Sequence, residues 1–196
     1  MSLCIREKVL NRDSPDLAQS YNNMGKVFRE KGDLDQALIY YNKALSIQEK
    51  VLDTKSPSLA NSYNNIGVLF REKGDLDQAL EYLNKALCIK EEVLDKDSPS
   101  CATSYNSIGM VFYNKGDLDR ALEYYNKAVS IQEKLLDKDS LNLATSFHNI
   151  GAVFVDKGDL DQGLKYFYKS HSIFVKVIGT RHKDTLTINE KIVNLQ

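Results

Sequence analysis

Apolar residues in this chain recur at spacings of three and four. Leu34, Ala37, Leu38, Tyr41, Ala44, Leu45 and Ile47 fall on one stripe of a helix with 3.6 residues per turn. Strands would need strict alternation, and no such run occurs, so the expected class is all-α. The pattern then repeats. SYNNMG at Ser20 returns as SYNNIG at Ser62, SYNSIG at Ser104 and SFHNIG at Ser146. KGDLDQAL at Lys31 returns at Lys73, as KGDLDRAL at Lys115 and as KGDLDQGL at Lys157. The period is 42 residues each time, and the first two copies agree at about 30 of 42 positions, far beyond chance.

Each copy reads as two helices. The first is expected from about Pro15 to Lys31, with Ser14 as its N-cap and Pro15 at the first helical position, where a missing N–H costs nothing. Ser56-Pro57 and Ser98-Pro99 repeat the device; Ser140 keeps the cap, and Leu141 replaces the proline. Gly32, Gly74, Gly116 and Gly158 close the first helices as left-handed caps. Asp33 then caps the second helix, with Gln36 three residues on, and that helix is expected to reach about Leu52. So short a turn makes the two helices antiparallel. Gly25, Gly67, Gly109 and Gly151 recur inside the first helix, where glycine costs roughly 1 kcal/mol against alanine. A passing helix backbone, too close for a side chain, is the expected reason. Tyr21, Met24, Phe28 and Tyr41 are expected to fill the gaps. Gly163 replaces Ala37, Ala79 and Ala121 in the last copy and is expected to loosen that helix.

Composition removes several function classes. A net charge of -1 gives no field to draw nucleic acid or an anionic membrane. No apolar run approaches the roughly 20 residues of a membrane span, and MSLCIREKVL has no signal-peptide core. Cys4, Cys88 and Cys101 are odd in number and lack CxxC spacing, so neither a disulfide framework nor a zinc site is expected. They read as helix-face filler in a reducing compartment, and a cytoplasmic location is expected. The histidines (His148, His171 and His182) lack the i, i+4 partners of a helical metal site. GDLD lacks the further ligands of a calcium loop, and Asp33 as a cap explains it better. No catalytic residue, metal or cofactor is assigned, and an enzyme is not expected.

The spacing of Tyr21, Met24, Gly25, Phe28, Ala37, Tyr41 and Ala44 resembles the tetratricopeptide repeat, which usually has 34 residues. The 42-residue unit is similar to the longer form of kinesin light chains, as are YNNMG, REKVL and GTRHKDT. The resemblance implies a right-handed α-solenoid of antiparallel helix pairs. One such domain is expected over 1–196, with a partial helix at 2–11, repeats at about 15–55, 57–97, 99–139 and 141–179, and a terminal helix at 183–195. Both ends fall inside a repeat, so the expectation is an excised piece of a longer array, with a short chain whose terminal helices act as caps as the alternative.

In the resembled family the first helices line a concave face. The positions off the buried stripe are then candidates for partner binding: Asn22, Lys26 and Arg29; Asn64, Val68 and Arg71; Asn106, Met110 and Tyr113; and His148. Asparagine is a poor helix former, so the ladder Asn22, Asn64, Asn106 with His148 in fourth place needs a reason. It either holds the backbone of an extended peptide or bonds neighbouring helices. Along the face, Arg29, Glu30, Arg71 and Glu72 give way to Met110, Tyr113, Ala152 and Val155, which either suits a partner charged at one end and apolar at the other or leaves the arginines on a solvated face of mixed charge. The lysine that chaperone-tail-binding relatives place at the Asn22 position is absent. A scaffold that binds a protein or peptide is the expected function. The alternatives are a spacer array that self-associates end to end, and a regulatory region of a larger signalling protein.

Overall fold

The computed structural model describes residues 11, 13–135 and 140–195; the helix expected at 2–11 lies outside them. Helices joined by turns form a solenoid of repeated pairs, and the described residues contain no strand. The chain divides into two compact units, Met1–Lys96 and Asp97–Gln196. The first holds α1 (Pro15–Glu30), α2 (Leu34–Val51), α3 (Pro57–Lys73) and α4 (Leu76–Val93). The second holds α5 (Pro99–Asn114), α6 (Leu118–Lys134), α7 (Leu141–Asp156), α8 (Leu160–Ile178) and α9 (Lys183–Asn194).

Local chemistry sets the helix ends. Gly32 has φ of 81°, a conformation that L side chains rarely adopt, and Gly74, Gly116 and Gly158 match it. Asp33 N–H then bonds Phe28 O at 2.9 Å, and Asp33 Oδ1 accepts from the Gln36 N–H at 3.1 Å. One aspartate thus turns the chain and opens the next helix. Asp75, Asp117 and Asp159 repeat the cap. The serine caps are less uniform. Ser56, Ser98 and Ser140 accept from backbone N–H groups, whereas the Ser14 side chain makes no capping bond.

The glycine inside each first helix is explained mainly by a side chain, joined in two of the repeats by a backbone carbonyl. A Cβ built on Gly25 would lie 2.5 Å from the Tyr41 ring, which is wholly buried. At Gly67 it would meet Leu83 at 2.7 Å and the Ala79 carbonyl oxygen at 3.1 Å. Tyr125 and Phe167 occupy the same place in the later repeats. Each repeat therefore locks a large side chain of its second helix into a notch in its first. In unit 1 this lock joins Leu45, Leu59, Ile66 and Leu69 in one core, each side chain contributing about 1.5–3 kcal/mol by burial. Gly163 does not leave a gap: Val155 Cγ2 fills the position, 2.6 Å from where a Cβ would stand.

Candidate functional site

Asn22 lies on α1 but does not face outward. It is 6% exposed, and its Nδ2–H donates to Ser62 Oγ on α3 at 2.9 Å. In unit 2, Asn106 on α5 does the same to Ser146 on α7 at 2.6 Å. The Ser146 hydroxyl in turn donates to Gln132 Oε1 at 2.8 Å. The amide donors of Asn22 and Asn106 are therefore committed to the neighbouring first helix. Their Oδ1 atoms, and that of the half-buried Asn64, are buried without a partner. His148 takes the fourth rung. Its Nε2 lies 3.3 Å from Lys191 Nζ, and burial, then the Lys191 charge, hold its pKa down to about 4.

The other candidates are more accessible. In unit 1, Lys26 is exposed and Val68 half-buried. Arg29 and Arg71 converge on Glu72, at 3.8 and 3.5 Å. In unit 2, Met110 is half-buried, and its sulfur accepts from the Tyr125 hydroxyl at 3.6 Å. Tyr113 bonds Asp156, and that carboxylate, with burial, pushes the phenol up to about 12. Beside it, Ala152, Val155, Phe167 and Leu195 line a cleft of about 220 Å³, with Asp156, Lys191 and Asn194 at its polar edge. The first-helix face of unit 2 thus has an apolar hollow with both charge signs beside it.

The sequence reading missed a second set of residues. Lys43 Nζ stands 5.4 Å from the Tyr21 ring centroid and 5.3 Å from that of Tyr40, and Tyr40 stacks on Phe28 at 5.3 Å. Lys85, Lys127 and Lys169 lie over the equivalent aromatic pairs. The signal was available, because Tyr40, Tyr82, Tyr124 and Tyr166 share the 42-residue period with a lysine three residues on. Such pairs contribute about 0.5–1 kcal/mol each at exposed sites.

The model of the tetratricopeptide repeat family matches residues 2–50, 16–92, 58–134 and 100–174. The chain belongs to the tetratricopeptide repeat family. Solved structures agree. BtubC (BKLC) from P. vanneervenii is 25% identical with a TM-score of 0.77, covering 91% of this chain and 72% of that one. A kinesin-light-chain-like protein of Podosopora anserina with nearly identical TPR-like repeats is 19% identical, also at 0.77, covering 93% and 86%. No curated protein matches the sequence. Tetratricopeptide repeats generally serve as protein–protein interaction modules, and the fold of this chain is similar to that of the kinesin-light-chain-like structure.

Two residues of this tetratricopeptide array that invite a chemical reading have structural places. His182 caps α9, its Nδ1 accepting from the Asp184 N–H at 3.3 Å, and Asp33 of GDLD caps α2. No group of three metal-ligating side chains occurs among the described residues, and no described helix is long and apolar enough to cross a membrane.

Proposed function

We propose that the chain is a non-catalytic scaffold that binds a peptide or an extended segment of a partner protein on its first-helix face. The observation that carries this reading is the unit 2 cleft, where Tyr113 of one repeat and Ala152 and Val155 of the next make an apolar seat bordered by Asp156 and Lys191. An aliphatic or aromatic side chain fits such a seat, with polar groups fixing its direction. In unit 1 the face is charged, with Lys26 exposed and Arg29 and Arg71 sharing one carboxylate, Glu72. The amides of the buried Asn22 and half-buried Asn106 support the face from beneath by tying successive first helices. The odd cysteine count without CxxC spacing supports a reducing, cytoplasmic setting.

The test uses peptides selected from a random display library on the whole chain. Val155→Asp should abolish binding of peptides seated in unit 2, and Arg71→Glu should weaken peptides seated in unit 1. Lys165→Glu, on an exposed part of α8, should leave both unchanged. Selected peptides that bind all three variants equally would exclude the first-helix face.

A second reading, self-association through the last helix, has one observation in its favour. Leu186 and Val193 of α9 are 48% and 61% exposed. In the full repeats these positions are the buried Ala18 and Gly25. Sedimentation at rising concentration separates the two readings, since a chain that stays monomeric has no such end contact.

A further inference from the structure

The junction that docks α9 differs from those between full repeats. Asn22 and Asn106 each reach a serine 40 positions on, which joins successive first helices. From His148 the same step leads to Ile188, which accepts no hydrogen bond. Gln132, which completes the network at α6, is replaced by Phe174. His148 instead contacts α9 through Lys191, with Nζ 3.3 Å from Nε2. An ammonium can only donate, so Nε2 must be the acceptor and the ring proton sits on Nδ1. Nδ1 is buried with no partner. The Phe167 ring lies 5.3 Å from the imidazole, and Lys191 Nζ lies 5.6 Å from the same ring. The rest of the dock is formed by the buried Ile188 and Ile192 and by Thr185, whose hydroxyl donates to the Gly179 carbonyl at 2.9 Å.

We propose that α9 is an acid-released latch: neutral His148 seats Lys191 and holds α9 against the fourth repeat, and protonated His148 repels Lys191 and opens it. Protonation removes the lone pair that receives Lys191 and sets two cations against each other in a half-buried site. The charged groups facing the imidazole both lie on α9, where Lys191 disfavours its protonation and Asp184 favours it. From α8 it meets Phe167 and Phe174, and α5 carries no charged side chain. With α9 docked, burial and Lys191 hold His148 at about 4; opening returns it toward its ordinary 6.5. The open state then binds more protons than the closed one. Closure is fully favoured above about pH 6.5, weakens roughly tenfold per pH unit below it, and stops weakening near pH 4. Acid thereby bares the apolar edge of α7 and α8 that α9 covers.

Hydrogen exchange on the whole chain tests this, with protection factors of α9 amides at about pH 7.5 and pH 5.0 compared with those of α6. The latch predicts that α9 loses about thirtyfold in protection at the lower pH while α6 does not. Replacing His148→Asn with Ile188→Ser restores the asparagine–serine pair and should remove the pH dependence. His182 stays in that double variant, so a loss caused by the α9 cap would persist there and overturn the proposal. Equal α9 protection at both pH values in the natural chain would also overturn it, as would a His148 resonance titrating near 6.5 while α9 remains protected.

Discussion

Val155 and Gly163 show how one residue's identity depends on another's. Glycine in a helix costs about 1 kcal/mol against alanine, so Gly163→Ala should stabilise α8 if the site were open. A Cβ there would stand 2.6 Å from Val155 Cγ2, closer than real contacts allow. Gly163→Ala alone is therefore expected to be neutral or destabilising by about 1 kcal/mol, because overpacking offsets propensity. Combined with Val155→Ala it should be stabilising relative to Val155→Ala alone, a sign change that a double-mutant cycle in urea would reveal. Tyr113 gives a second residue-level prediction. Its hydrogen bond to Asp156 stabilises the protonated phenol, and the carboxylate charge repels a phenolate. Asp156→Asn should lower its titration from about 12 toward 10, read as phenolate absorbance on raising pH. Neither coupling is legible in the sequence, because the partners meet only once the helices have packed.

At the scale of the element, what the sequence specified is local. The GDLD turns were readable because their hydrogen bonds span five residues or fewer and each residue type has one job there. Ser14 shows the limit: it resembles Ser98 in sequence, yet only Ser98 makes the capping bond. Ser98→Ala should cost about 1 kcal/mol in thermal or urea unfolding, whereas Ser14→Ala should cost little. The asparagine rungs show the limit from the other side. Helical periodicity placed Asn22 off the buried stripe of α1, but its burial comes from α3, a neighbour whose approach no single-helix pattern encodes. The lysine–aromatic contacts are intermediate, since their period was visible and only their geometry was not.

Over the whole molecule, adhesion within and between repeats divides into two kinds. Apolar locks and serine–asparagine bonds are buried, whereas the ion pairs that recur between repeats (Lys73 with Asp35, Lys157 with Asp119) leave their aspartates 85% and 87% exposed. Exposed pairs contribute about 0–1 kcal/mol and are screened by salt. Raising salt from about 0.05 to 1 M should therefore move the urea midpoint only slightly; a large fall would mean that these pairs carry more of the stability than their exposure implies. The repeat architecture was legible because one pattern is written four times. The division into two units was not, since it depends on which contacts are densest in space.

The Gly25–Tyr41 lock has a consequence for how such a gene can change. Both partners lie within one 42-residue period, and so do Gly67 with Leu83, Gly109 with Tyr125 and Gly151 with Phe167. Tyrosine, leucine and phenylalanine have already exchanged at the larger partner without disturbing the glycine. A duplication or deletion of one whole period carries a complete lock with it, wherever in the period the breakpoints fall. The inter-repeat bond crosses from one copy to the next, yet it also survives, because most copies supply both the asparagine and the serine. Unequal recombination can therefore lengthen or shorten this chain in steps of 42 residues, and each product inherits compatible packing without further mutation.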